Sequence, residues 1–181
     1  MMNTKSFLAS SFLALSTLAF IPTTQAANVS FEAPAIAGSG CSFNTYSYQT
    51  KRIRNGALLT INTRGFRAKP GNVTCNLALP IRVPTGYRVS EVSGIFTGYA
   101  KGKAELRRSY FLAGATGSSA VSKWISSTGR GFTQKDSQRL NARCGEDVNL
   151  RVNSRLRTAS NTSQARISAM HITVRYVKCT R

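Results

Sequence analysis

The chain has 181 residues, with 25 Lys and Arg against 6 Asp and Glu, and a formal net charge of +19. Such a balance opposes a cation-binding surface and favours polyanionic partners. A single histidine and six carboxylates leave few ways to build an acid–base pair or a triad.

Residues 1–26 read as an export signal: Lys5 supplies the positive region, residues 7–21 are almost wholly apolar or small, and Thr24-Gln25-Ala26 fits a small-x-small cleavage site. Cleavage after Ala26 leaves 155 residues with 24 bases, 17 of them arginine, and a balance of +18. The apolar run is shorter than the roughly 20 residues a membrane-spanning helix needs, so no stable transmembrane insertion is expected after cleavage. Residues 27–181 are expected to form one β-rich domain, large enough to bury about two thirds of its unfolded surface.

Residues 27–40 read as a short edge strand and a loop. Phe43, Tyr46 and Tyr48 follow, then a basic turn carrying Lys51, Arg52 and Arg54 before Asn55-Gly56. Leu59, Ile61 and Thr63 alternate in the next strand. The clearest two-residue period begins at Cys75, with Leu77, Leu79, Ile81 and Val83 on one side and Asn76, Ala78, Pro80 and Arg82 on the other. Pro84-Thr85-Gly86 is a turn. Two further strands are expected, one through Val89, Ile95 and Tyr99, the other through Ala104, Leu106, Tyr110 and Leu112.

Residues 114–138 are weakly patterned. Val121, Trp124 and Ile125 suggest a short strand with the tryptophan packed, and residues 136–142 suggest one helical turn. Period two returns with Val148, Leu150, Val152 and Leu156 against Arg151, Arg155 and Arg157, and again with Met170, Ile172 and Val174. About eight strands with frequent turns and little helix predict an all-β antiparallel sandwich or open barrel.

Four widely spaced cysteines in an exported chain favour two disulfides over a metal site. Of three possible pairings, Cys41 with Cys75 and Cys144 with Cys179 is preferred, because it closes two loops of similar length. A pair so placed contributes roughly 3 to 4 kcal/mol by loop entropy.

Cys75, Leu77, Leu79 and the following Pro84-Thr85-Gly86-Tyr87 resemble the signature of a secreted family catalogued as domain of unknown function 4360. Gly98-Tyr99-Ala100, Tyr110 to Gly114, Cys144-Gly145 and the closing Arg175 to Cys179 continue the resemblance over nearly all of the expected mature chain. It implies an exported, β-rich, disulfide-bonded domain and transfers no catalytic residue. The region of Gly131-Phe132 departs from the family pattern by lacking an Asp-Tyr, and the chain is far more basic than the family requires.

His171 is the one candidate for a hydrolase, and it falls mid-strand without an evident partner. Glu146-Asp147 offers too few oxygens for calcium, no phosphate-binding glycine motif is present, and no cofactor or metal is expected. Basic clusters remain: Arg151, Arg155 and Arg157 on one strand face; Lys101, Lys103, Arg107 and Arg108 before Tyr110; Lys51, Arg52 and Arg54 in a turn. Arginine forks match phosphate, sulfate and carboxylate. The expected function is therefore a secreted or periplasmic, non-enzymatic module binding anionic polysaccharide, lipopolysaccharide or nucleic acid. The alternative is a protein-interaction factor, an effector or inhibitor of an extracellular enzyme, acting through residues 114–138.

Overall fold

A computed structural model of the chain describes residues 29–115 and 120–180; the expected signal, residues 1–26, lies outside them. The described residues form ten antiparallel strands in one sheet and no helix. In chain order these are β1 (Ser30–Phe31), β2 (Ala35–Ala37), β3 (Tyr46–Ile53), β4 (Gly56–Thr63), β5 (Arg67–Ala68), β6 (Asn72–Arg82), β7 (Tyr87–Leu112), β8 (Val121–Arg139), β9 (Val148–Thr158) and β10 (Gln164–Lys178).

The spine is β7, 26 residues long. Along one edge it pairs with β8 from Glu91 to Arg108. Along the other it pairs first with β10, from Tyr87 to Lys101, and then with β9, from Ala104 to Leu112. Because β9 and β10 run in the same direction past β7, together they act as a second long strand broken only at residues 159–163. The β4, β5 and β6 strands line up beyond them in the same way.

This broad sheet folds over on itself. Leu77, Leu79, Leu106, Leu150, Val152 and Leu156 of the β6–β9 half meet Leu59, Ile61, Phe96, Met170, Ile172 and Val174 of the β4–β10 half in one apolar core. Each such side chain, fully buried, contributes about 1.5 to 3 kcal/mol. The fold line crosses β7 and β8 where the register shifts between Ala100 and Lys101, leaving Gly129 as the extra residue of a bulge with φ of 102°. One position on, Gly102 takes φ of 78°, and the Ser163 hydroxyl accepts the Lys103 N–H at 3.2 Å. A side chain at Gly102 would collide with that serine.

The all-β antiparallel expectation holds, and so does the disulfide pairing. Cys41 is bonded to Cys75 and Cys144 to Cys179, with Cα separations of 5.2 and 6.2 Å. Several local expectations are corrected. The two strands expected between Tyr87 and Leu112 are one, because the bulge lets the chain change partners without a turn. Residues 136–139 continue β8 rather than starting a helical turn, and the weakly patterned stretch before them is strand as well. Pairing along β7 supplies the order that its mixed inner face of Phe132, Gln134 and Asp136 does not announce. Trp124 is not packed inside but is 48% exposed.

Candidate anion-binding face

Residues directly opposed in an antiparallel sheet share a face, so the register itself assembles the site. Along β7, Val92, Phe96, Ala100, Ala104, Leu106, Arg108 and Tyr110 are buried. The odd positions between them form the outer surface; at the fold line Lys101, Gly102 and Lys103 are all exposed, with Gly102 in the left-handed conformation, and the alternation resumes in the same phase at Ala104.

On the outer surface of the β6–β9 half, Asn72, Arg157, Glu105 and Trp124 form one row across four strands. Thr74, Arg155, Arg107 and Ser122 form the next, and Ala78, Arg151 and Phe111 lie further along. Lys103 is beside the first row, its Nζ 4.6 Å from the centroid of the Trp124 ring, while Arg157 Cζ is 5.6 Å from the same ring. Cations at that range are attracted to the indole face. Two strands distant in sequence, β7 and β9, thus bring Arg151, Arg155, Arg157, Lys103 and Arg107 onto one exposed face.

The charges on this face are unequally satisfied. Arg157 Nη2 binds the Glu105 carboxylate at 2.7 Å. The Ser122 hydroxyl also donates to Glu105, and it is the larger cause of a carboxyl pKa held below the ordinary value, with Arg157 adding to it against partial burial. Arg107, Arg151 and Arg155 have no carboxylate partner among the described residues. Thr74, Asn76, Ser109 and Asn153 surround Arg107 and Arg155 in a shallow depression of about 320 Å³. Two guanidinium forks among hydroxyls and amides can hold a carboxylate, sulfate or phosphate and hydrogen-bond the hydroxyls beside it.

The remaining acidic residues stand elsewhere. Glu32 and Asp147 take Arg82 at 2.5 and 3.2 Å, and Glu146 lies near Arg143. Asp147 also accepts the Val83 N–H at 2.7 Å, so it caps a strand end.

Arg108 leaves the expected cluster. It occupies an inward position of β7, is 0% exposed, and bonds Asp136 from Nε at 2.5 Å and the Leu106 carbonyl from Nη1 at 2.9 Å. Tyr110 donates to the other Asp136 oxygen at 2.5 Å, and burial with that carboxylate raises its pKa. Since Asp136 pairs with Gly94 in the other half, this buried network ties the two halves together. Arg108 is structural and cannot meet a ligand on the outer face.

Lys51, Arg52 and Arg54 do not join the face either. They sit at the β3–β4 hairpin, on the far margin of the other half, where Asn55 takes the left-handed conformation that the tight turn requires. Lys101 lies at the fold line. His171 stands in an outer row with Gln49, Thr60, Ile95 and Lys135, its Nδ1 3.2 Å from the Thr60 hydroxyl, and that row contains no carboxylate. Among the described residues no group of three or more His, Cys, Asp or Glu side chains could hold a metal ion. No helix among them is long and apolar enough to cross a membrane.

Trp124 is the site residue that sequence reading missed. Its neighbours Lys123 and Ser122 gave a local hint of exposure, but the partners that make it part of a site lie on β7 and β9.

An all-β, disulfide-bonded sandwich carrying a cationic sheet face is the class these features define. The chain belongs to the family described as "Domain of unknown function (DUF4360)", whose model matches residues 27–178. A comparison with curated proteins finds no match. Among solved structures, a carbohydrate-binding module from Cellvibrio mixtus lichenase 5A in complex with cellotriose is 12% identical, over 81% of this chain and 98% of that one, with a TM-score of 0.33. A family 61 carbohydrate-binding module in complex with β-1,4-galactotriose is 10% identical, over 82% and 90%, with a TM-score of 0.33. The enzymatically active domain of tailspike protein 4 of bacteriophage CBA120 is 10% identical, over 81% of this chain but only 19% of its own, with a TM-score of 0.30. Neither fold nor ligand is inferred from similarities of that size.

Proposed function

We propose that the protein is an exported, non-enzymatic module, acting outside the cell or in the periplasm, that binds an anionic polymer through the outer face of β9, β7 and β8. The observation that carries this reading is the cross-strand pairing of Arg107 with Arg155, exposed and without carboxylates, beside Arg151 and the cation-bracketed Trp124. A protein that only needed soluble charge would gain by interleaving the signs; here the uncompensated forks are adjacent. Two disulfides and a signal-like leader suit an oxidising destination. Non-catalytic action is supported by the row around His171, which offers no carboxylate to orient the ring. Of the segment 114–138 in which the alternative reading places an irregular interaction loop, residues 121–138 are strand.

Retention on immobilised heparin and on DNA is the test, with elution compared between about 50 and 200 mM salt, where counterion release weakens such contacts steeply. The Arg107→Gln/Arg155→Gln double variant should elute earlier than the parent protein. Retention indifferent both to salt and to this double substitution would refute the reading.

A further inference from the structure

The cationic face does not end at the fold line. On the β4–β10 half, Arg67 of β5 is directly opposed to Arg166 of β10, and Arg166 is directly opposed to Tyr99 of β7. This row repeats the arrangement of the first face: two exposed arginines abreast, with Arg166 Cζ 5.7 Å from an aromatic ring and no carboxylate partner among the described residues. Lys69 and Gln164 join it around a depression of about 260 Å³.

The two rows lie on the same side of the same sheet. Tyr99, Lys101, Lys103, Glu105 and Arg107 are alternate residues of one strand, so the outer surface that bears Arg166 continues into the surface that bears Arg155. Between them stand Lys101 and Lys103, both exposed, at the bend. From Tyr99 to Arg107 the strand rises about 27 Å, and a path over the outside of a bend is no shorter.

We infer that the two rows are the ends of one track that wraps the fold line, and that its ligand is a linear acidic polysaccharide long enough to span both. This rests on the proposed polyanion-binding function and specifies its partner. Glycan is favoured over nucleic acid by the surface. Among the described residues the face bears no helix that could enter a groove, and apart from the half-buried Phe111 at its far end it offers two well-separated aromatics, Trp124 and Tyr99, rather than a succession on which bases could stack. Hydroxyl and amide side chains such as Thr74, Asn76, Ser109, Asn153 and Gln164 fill the gaps between cations, suited to sugar hydroxyls.

The test measures affinity for heparin-derived oligosaccharides from disaccharide to dodecasaccharide, using the full mature protein and the Arg67→Gln/Arg166→Gln variant. Affinity of the parent should climb with length and then level off. The variant should lose up to about thirtyfold for the dodecasaccharide, two exposed ion pairs at the upper end of their usual worth, and nothing for the disaccharide. Its salt dependence on long ligands should fall by about 1.4 to 1.8 in slope, the loss of two cations. Both substituted residues are exposed, and a circular dichroism spectrum matching the parent's certifies the variant's fold. Affinity independent of length, or an equal loss for short and long ligands, would overturn the track and leave polyanion binding standing. Tighter binding of single-stranded DNA of equal contour length would overturn the glycan assignment. No retention of any oligosaccharide at low salt would sink this inference, and failure to be retained on DNA as well would sink the proposed function with it.

Discussion

Arg107 and Arg155 face each other across β7 and β9, both exposed, with no carboxylate on either. Like charges directly opposed on a sheet destabilise it by a few tenths of a kcal/mol up to about 1 kcal/mol. A bound anion reverses the sign of that term, since it sits between two forks already aimed at the same side.

Stability and binding should therefore move in opposite directions at this pair. Arg155→Gln is expected to raise the unfolding free energy by up to about 1 kcal/mol in low-salt urea titrations. The same variant should elute earlier from heparin. The gain in stability should shrink as salt shortens the screening length.

Glu105 is the one carboxylate ion-paired within the first face, so Glu105→Gln is expected to tighten polyanion binding at neutral pH. Its folded pKa is lowered by Ser122 first and by Arg157, hence the carboxylate stabilises the fold above the unfolded value near 4.3 and ceases to do so as pH falls through the folded value. Parent and variant should converge in both stability and affinity in acid. A binding difference that persists at the lowest pH would show that Glu105 acts by shape rather than charge.

The buried pair Arg108–Asp136 makes a different prediction. Asp136→Asn strands a guanidinium inside the core and should cost about 3 to 5 kcal/mol. Replacing both partners, as Arg108→Met/Asp136→Leu, should recover most of that loss, because neither desolvated charge remains. Chemical denaturation of the three proteins decides it. Heparin affinity of the folded double variant should equal the parent's, as Arg108 does not reach the face.

Trp124 is the only tryptophan in the chain, so its fluorescence reports the face without ambiguity. Addition of an acidic oligosaccharide should shift or quench the emission, since a ligand anion draws Lys103 and Arg157 and covers the ring. Trp124→Ala should weaken binding by about 0.5 to 2 kcal/mol if the ring packs on the ligand. Emission unchanged at saturating ligand would place the binding surface elsewhere.

Part of this site could be read from residues in order. The alternation through Val148, Leu150, Val152 and Leu156 fixes Arg151, Arg155 and Arg157 on one side of β9, and they are there. The same rule, applied to Ala104, Leu106 and Tyr110, points Arg108 inward and Arg107 outward. Adjacent residues on a strand point to opposite faces, so these two chain neighbours divide between core and surface. By contrast, nothing in Arg67 or Arg166 signals that they stand abreast, nor that Trp124 lies within reach of Arg157. Those neighbours are 99 and 33 positions apart, and only the pairing register brings them together.

By itself, the order of residues determined the faces of the strongly alternating strands and the all-β class, because pleat period is a local property of the chain; it favoured one of three cysteine pairings, and the fold that brings Cys41 to Cys75 and Cys144 to Cys179 settled it. The tertiary structure alone decided that β7 would be one strand crossing a fold line, with β9 and β10 laid end to end along it. That choice turns scattered arginines into opposed pairs and sends one of them, Arg108, into the core. The physical reason is that a sheet bends where bulges and glycines allow and where two apolar faces can close on each other. Which side chains become neighbours outside follows from how that closure sets the register.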